Sequence, residues 1–470
     1  MTTRRLVAVV ALAAVVFAGV FAYRTAAGLA SIFHTNVGSV VGSLIKGKSG
    51  STIETDQVAN LQRINIALYG YGGDGHGGAF LTDSIMVISI QPQRDAPPRI
   101  AEVSIPRDWY VPMDNAAGKQ VDLGRINQAY GDGMLYGDGG VAAGDETSGG
   151  AMADAALTKL LGIPIDYFVG VDFSAFDQAV DAVGGINVDV PVAFTDDEYP
   201  AGECNQDSTC AFETVSFGAG TQHMNGATAL EYTRSRHGDN GQGTDFARSG
   251  RQQLIIAALE QKVLSIGGIG DLPSLLSALG NNVDTNLSLN DVEALWSLVK
   301  PVPSSSYLHV QLTDQDFLYE CSWFSWSTNC TADFEYAWDG SYQTVDHYLQ
   351  SVFADPVALA AKVTVGIEDG SGWDAPVAPS LSSRWATMFG ELGWSTADLS
   401  TVETTAKTEV INQGGSKDEA IAKWFASYFG VPVTTVSPPS PGTSGPIDGV
   451  IVLLGQDQAN TFDNDPGYGS

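Results

Sequence analysis

Tyr167-Phe-Val-Gly-Val-Asp-Phe-Ser-Ala-Phe-Asp-Gln-Ala-Val-Asp-Ala-Val-Gly-Gly-Ile-Asn-Val-Asp-Val190 reads as a strand to Val171, a helix from Phe173 to Val183 and a second strand from Ile186. Short β-branched and aromatic runs split by a helical stretch are the pattern of a layered α/β domain with a mixed sheet. Outward from this stretch the alternation continues. Ile64 to Leu68 and Asp83 to Ile90 are β-rich and flank a glycine loop from Gly70 to Gly78, and Arg99 to Pro106 is a further strand ending in Ile105-Pro-Arg-Asp108. Ala151 to Leu161 reads as a short helix stopped by Gly162 and Pro164. A long helix follows Thr244, with Leu254, Ile255, Ala258, Leu259 and Val263 on one face. Leu272 to Lys300 reads as helical, and a Trp- and Cys-bearing region follows it to about Phe353. A second small α/β unit then begins with the strand Lys362 to Ile367. It continues through helices near Leu381 to Leu392 and Lys417 to Phe429 and a strand around Thr408 to Ile411, and closes on the buried strand Gly449 to Gly455.

The composition is that of a globular protein, with 44% hydrophobic and 16% charged residues, and the formal net charge is −31. Such an acidic chain lacks the broad basic surface that nucleic acid requires, so nucleic acid is excluded as the main partner. Arg4-Arg5 precedes an uninterrupted apolar run from Leu6 to Tyr23, closed by Arg24. As a helix this run rises about 27 Å, close to the thickness of a bilayer core. It reads foremost as a signal-anchor with a cytoplasmic N-terminus. A signal peptide cleaved near Ala27 or Ala30, and a buried helix, are the alternatives. Cys204 and Cys210 share one acidic loop, and Cys321 and Cys330 another, with no CxxC and no His at zinc-ligand spacing. Two local disulfides in an exported domain fit better than a metal site, with free buried thiols as the alternative.

Against this acidic background, Glu231-Tyr-Thr-Arg-Ser-Arg-His237 and Thr244-Asp-Phe-Ala-Arg-Ser-Gly-Arg-Gln-Gln253 gather Arg234, Arg236, Arg248 and Arg251, whereas Leu160 to Thr233 contains no Lys or Arg. Guanidinium groups offer forked donors matched to phosphate oxygens, so the cluster points to a bound polyanion. A solvated face of ordinary ion pairs is the bland alternative. Arg248, Arg251 and Gln252 are neighbours on the first turns of the long helix. Arg234 and Arg236, read as extended, point to one side. The helix N-terminus adds a favourable dipole. His223 and His237 are too isolated for zinc and are expected to be structural. Ser104 and Ser235 lack a nucleophile elbow. Trp323, Phe324, Trp326 and Tyr336 are expected to pack around a disulfide loop rather than to stack sugars.

Leu81-Thr-Asp-Ser-Ile-Met86, Ser104-Ile-Pro-Arg-Asp108, Arg125-Ile-Asn-Gln-Ala-Tyr130, Leu161-Gly-Ile-Pro-Ile-Asp-Tyr167, Val183-Gly-Gly-Ile-Asn-Val188, Gln222-His-Met-Asn-Gly226 and the arginine segment occur in the order found in LytR-CpsA-Psr proteins of bacterial envelopes, which the chain resembles over about residues 61 to 265. Residues 362 to 457 are similar to the smaller LytR C-terminal domain. The resemblance implies a three-layer α/β/α core with a mixed central sheet, an N-terminal transmembrane helix and a second small α/β domain. The expected divisions are 1–24 (cytoplasmic end and anchor), 25–60 (juxtamembrane linker), 61–265 (catalytic domain), 266–357 (helical, disulfide-bearing connection), 358–457 (C-terminal domain) and 458–470 (tail).

The same resemblance implies a single-pass membrane protein, mostly extracytoplasmic, that transfers a polyprenyl-pyrophosphate-linked glycan to a peptidoglycan acceptor with Mg²⁺. Asp83 matches the family's metal-binding aspartate. Arg107, Arg125, Arg234, Arg236, Arg248, Arg251 and Gln252 are the expected pyrophosphate ligands. Arg107, Arg234, Arg236 and Asp245 are the expected catalytic group; Asp108 or Asp245 would orient an Arg or accept a proton, or form an ordinary ion pair. Two departures stand out: Gly72 and Leu81 occupy positions where the family has Asp and Arg. Asp74 is the candidate substitute metal ligand, with a solvated loop aspartate as the alternative. A polyprenyl-pyrophosphate hydrolase, a non-catalytic glycan-lipid scaffold and a DNA-binding attenuator are the competing functions; export and acidity oppose the last.

Overall fold

The computed structural model describes residues 53–462, apart from 74–75, 77, 115–119, 137–145, 202–210, 266–281, 304–305, 313–317, 321–334, 338–342, 353–362, 374–379 and 436–448. The apolar run Leu6 to Tyr23, Asp74, all four cysteines and the Trp323–Trp326 cluster therefore lie outside the described residues, as does the side chain of Tyr336. No helix among the described residues is long and apolar enough to cross a membrane.

The main sheet opens with β1 (Ile64–Tyr71), β2 (Thr82–Gln91) and β3 (Arg99–Ile105), an antiparallel meander. A hairpin of β4 (Tyr110–Asp114) and β5 (Gln120–Arg125) follows, then helices α1 (Ala129–Tyr136) and α2 (Glu146–Leu161). The strand-helix-strand stretch from Tyr167 to Val190 forms β6 (Tyr167–Asp172), α3 (Phe173–Ala182) and β7 (Ile186–Val190). Asp172 ends the strand and starts the helix in one step, because its carboxylate accepts from the Ala175 amide at 2.7 Å. The next elements are β8 (Phe194–Pro200), β9 (Phe212–Phe217), β10 (Gly220–Met224), α4 (Gly226–Arg234) and α5 (Asp245–Ser265).

β6 adds parallel to β1. Two short strands complete the sheet: β11 (Val283–Thr285) pairs antiparallel with β6, and β12 (Leu308–Gln311) pairs parallel with β3. The order is β11-β6-β1-β2-β3-β12. The segment read from sequence as a connection thus supplies both edges of the main sheet. The strand β11 interrupts the helix expected from Leu272 to Lys300, of which 272–281 lie outside the described residues; the described helix there is α6 (Leu289–Val299), started by a capping box between Ser288 and Asp291.

Strand alternation sorts β1 onto two faces. Ala67, Tyr69 and Tyr71 join α2 residues Ala153, Ala156, Leu157 and Leu160 in one core. Ile64 and Ile66, with Leu68, face Val292, Leu295 and Leu298 of α6 in another. A sheet covered on both faces is the three-layer α/β/α arrangement expected. α2 lies close enough that a Cβ at Gly150 would run into the Phe168 ring.

After a small hairpin of β13 (Leu318–Glu320) and β14 (Glu335–Ala337) and helix α7 (Gln343–Gln350) comes the second α/β unit. It contains β15 (Thr364–Asp369), α8 (Leu381–Glu391), β16 (Ser395–Thr401), β17 (Glu409–Asn412), α9 (Glu419–Phe429), β18 (Val433–Thr434), β19 (Val450–Leu454) and α10 (Gln456–Phe462). Its sheet is mixed, in the order β16-β15-β19-β17-β18. It is not separate from the main domain: Trp385, Phe389 and Phe425 belong to the same buried cluster as Val310, Tyr348 and Leu157.

Candidate functional site

The face of β1 and β6 that carries Leu68, Val169 and Val171 looks across at α3, α4 and α5, and between them lies a cavity of about 640 Å³. Its wall is apolar over much of its length: Ala175, Phe176 and Ala179 from α3, Leu230 from α4, and Ile255, Ile256 and Leu259 from α5. The sequence placed Ile255 and Leu259 on an apolar helix face, but periodicity does not distinguish a face pressed on protein from one facing a cavity.

Polar groups also line it, and along α5 they come first, Arg248 and Gln252 ahead of Ile255, Ile256 and Leu259. Asp83, Arg234, Arg236, His237, Arg248 and Gln252 all contribute to the wall, with Asp196 and Glu198 from β8. Arg234 is helical rather than extended: it ends α4, which Asn225 caps by accepting from the Thr228 amide at 2.9 Å. A cation at a helix C-terminus is favourable, and the guanidinium carbon of Arg234 sits 4.3 Å from the centre of the Phe173 ring. His76 packs edge-on to the same ring, with centroids 5.3 Å apart. Arg236 follows in a turn and is exposed, whereas Arg248 is 5% exposed on the first turns of α5. Thr244 caps α5 by accepting from the Ala247 amide at 3.1 Å, so the positive end of a helix dipole points toward the arginine end. Asp245 begins that helix; its side chain lies outside the described residues.

Three expected phosphate ligands are not on the cavity wall. Arg107 donates from Nη1 to Asp83 Oδ1 at 2.5 Å and from Nε to Asp108 Oδ2 at 3.0 Å. Asp108 Oδ1 lies 3.2 Å from Arg125 Nε. The structure therefore places Arg107 and Arg125 in an ion-pair chain behind Asp83, the ordinary role weighed for Asp108. Arg251 is 2% exposed and turned away from the cavity. Its Nε donates to Tyr232 O at 2.9 Å, Nη2 to Ser235 O at 2.5 Å and Nη1 to Gln242 O at 2.8 Å. Burial lowers its pKa, while Tyr232 and Asp196 raise it. The carbonyls of a helix end have no intrahelical donors, and this guanidinium supplies them.

Asp196 escaped the sequence reading altogether. It is fully buried; Oδ2 accepts from Ser235 Oγ at 2.6 Å, Arg236 N at 3.0 Å and His237 N at 3.1 Å, and Oδ1 accepts from Glu198 N at 2.9 Å. Burial pushes its pKa up, but these four hydrogen bonds together outweigh burial and hold it below the usual carboxylate value. Nothing in the surrounding Phe194-Thr-Asp-Asp-Glu198 marks one aspartate out from the next.

Gly72 has a steric reason. A Cβ there would lie 2.9 Å from His76 Cβ, so His76 occupies the volume an aspartate at 72 would need. His223, expected to be structural, has Nδ1 3.0 Å from Asn187 Oδ1 across β10 and β7.

A cavity with an apolar wall and clustered guanidinium groups on an α/β/α frame suits a ligand that joins an apolar part to an anionic one. The LytR_cpsA_psr family profile matches residues 38–329, more than half of the chain, and the chain belongs to that family. It is 28% identical over 270 residues to the polyisoprenyl-teichoic acid–peptidoglycan teichoic acid transferase TagU of Bacillus mycoides, covering 57% of this chain and 74% of that protein. It is 30% identical over 237 residues to TagV of Bacillus subtilis, of the same description, covering 50% of this chain and 52% of that protein. The crystal structure of B. subtilis TagV superposes with a TM-score of 0.45 at 26% identity, covering 62% of this chain and 97% of that one.

Proposed function

We propose that this chain is a membrane-anchored, extracytoplasmic phosphotransferase that attaches a polyprenyl-pyrophosphate-linked glycopolymer to peptidoglycan. The observation that carries this reading is the two-part cavity: an apolar wall of Leu68, Val169, Val171, Ile255, Ile256 and Leu259 leading to Arg234, Arg236 and Arg248. A ligand filling both parts is a hydrocarbon chain with a polyanionic head, each buried methylene contributing roughly 0.8 kcal/mol. The relatives are named as transferases of teichoic acid from a polyisoprenyl-teichoic acid to peptidoglycan, which supports such a donor.

In this reaction the acceptor hydroxyl oxygen forms a bond to the phosphorus bearing the glycan. The bond from that phosphorus to the bridging oxygen breaks, and polyprenyl phosphate leaves with the electron pair. Arg234, Arg236, Arg248 and Gln252 hold the phosphate oxygens as negative charge shifts onto the leaving group. The acceptor's proton passes to a carboxylate, for which Asp245, first in α5, is the candidate read from the sequence. Phe173 keeps Arg234 in place between turnovers. The Leu6 to Tyr23 run is assigned as the anchor, and the second sheet as the LytR C-terminal-like domain.

Mg²⁺ belongs to this reading as an ion that arrives with its substrate. Among the described residues no group of three or more His, Cys, Asp or Glu could hold a metal by itself. Asp83, on the cavity wall with its side chain 45% exposed, fits as a single protein ligand, because Mg²⁺ commonly completes its octahedron with water and substrate phosphates. Bound there, the ion would neutralise charge on the leaving phosphate.

Incubation of the full chain with a synthetic polyprenyl-pyrophosphate glycan and Mg²⁺, with and without peptidoglycan, tests the proposal. Acceptor-dependent transfer, reduced about a hundredfold in Arg234→Ala, is expected. Release of lipid phosphate without acceptor would make the protein a hydrolase, and neither product would leave a binding scaffold.

A further inference from the structure

We propose that Asp196 and Arg251 are a pair of positioning residues that hold the segment between α4 and α5, one by its amides and the other by its carbonyls, and so aim Arg234 and Arg236 at the cavity. The inference rests on the anion-site reading above. It starts from a backbone problem: α4 ends at Arg234, and the extended Ser235 that follows leaves carbonyls and amides of the turn without helical partners. Asp196, an acceptor only, takes the two consecutive amides of Arg236 and His237 and the Ser235 hydroxyl. Arg251, a donor only, takes the carbonyls of Tyr232, Ser235 and Gln242.

Both groups are almost completely buried, Asp196 at 0% and Arg251 at 2% exposure. The guanidinium carbon of Arg251 also lies 4.9 Å from the centre of the Phe194 ring. Arg236 is therefore fixed through its own amide and Arg234 through the carbonyls of Tyr232 and Ser235 on either side of it, by a carboxylate and a guanidinium whose bonds go to the main chain. Arg251 cannot be replaced by Lys in this role, because an ammonium lacks the planar fork that reaches three separated carbonyls. Asp196 lies on β8, whose bulge presents Glu198 to the same cavity. One carboxylate thus sets both the arginine turn and the facing wall.

The test compares binding of geranylgeranyl pyrophosphate and of geranylgeraniol, the same hydrocarbon without charge, to the full chain and its variants. Asp196→Asn and Arg251→Lys should each weaken the pyrophosphate about tenfold and leave the alcohol unchanged. Equal loss of both probes would mean a merely structural role and would overturn the inference, as would no loss of either. If Asp196→Asn does not fold, Ser235→Ala removes one bond to Asp196 and keeps both amide bonds. About a threefold loss for the pyrophosphate alone is then expected, and an unchanged affinity overturns the proposal. Should the wild type bind both probes equally, the anion-site reading itself fails. A wild type that prefers the pyrophosphate, with variants that keep the preference, sinks only the positioning role.

Discussion

Asp154→Asn should stabilise this protein at neutral pH and bring no such gain at pH 4. Asp154 projects from α2 under the sheet, where its Oδ1 accepts a hydrogen bond from Tyr69 Oη at 2.8 Å. Burial pushes its pKa from 3.8 up to about 8; the Tyr69 bond opposes that rise, and the charge of Asp166 adds to it. The native state therefore keeps a proton that the unfolded chain releases above pH 3.8. Stability from this group is fully present below that value and is lost as pH rises toward about 8. At 1.36 kcal/mol per pH unit, the loss reaches about 4 kcal/mol at pH 7. An asparagine is neutral throughout and keeps a carbonyl oxygen for Tyr69. It should recover that amount, less the cost of seating an amide N–H₂ where the acid had one O–H. Urea denaturation at pH 4, 5.5, 7 and 8.5 measures the difference. A gain independent of pH, or destabilisation at pH 7 as large as at pH 4, would refute the reasoning.

Three other outcomes follow from the packing. Ile256→Trp should fill the apolar wall and weaken long-chain prenyl phosphates about tenfold while inorganic pyrophosphate binds as before; calorimetry with both ligands checks it. Gly150→Ala should lower the melting temperature despite the better helix former, because Cβ meets the Phe168 ring, and overpacking costs about 1–3 kcal/mol against about 1 gained. Gly72→Asp should likewise lower the melting temperature through its clash with the His76 Cβ, and the double variant with His76→Gly, which removes that Cβ, should recover it. An unchanged melting temperature in the single variant would show that His76 moves aside freely.

Much of the frame was legible in the sequence because its signals are local. Ile186–Val190 alternates buried and exposed along its whole length, as the run of alternating residues predicted. Phe173 to Val183 was legible for the same reason. Arg234 was misread as extended although Asn225 stands as a capping residue at the head of its helix. β11 and β12 are three and four residues long, too short to carry a period, and only the long-range pairing with β6 and β3 makes them strands. Within the site, Arg248 and Arg251 sit on neighbouring turns with the same chemistry. Which one faces the cavity depends on where β8 and α4 dock against α5, and that is a tertiary fact. Asp196 is invisible for a related reason, since its four donors come from the chain on both sides of a long excursion.

The buried cluster that runs from α2 through β12 and α7 into α8 and α9 has a practical consequence for how the protein can be handled. Tyr348 Oη donates to Met388 O at 2.8 Å, and the His347 ring lies 4.4 Å from that of Tyr428, so the second unit is bonded to the first as well as packed on it. A chain cut ahead of β15 would leave Tyr348, Leu349 and Val352 wet beside β12, the strand at the edge of the main sheet. Such a surface invites strand-to-strand association. The trimmed N-terminal part should therefore express as aggregate, and solubility would be recovered by supplying the missing part as a separate polypeptide.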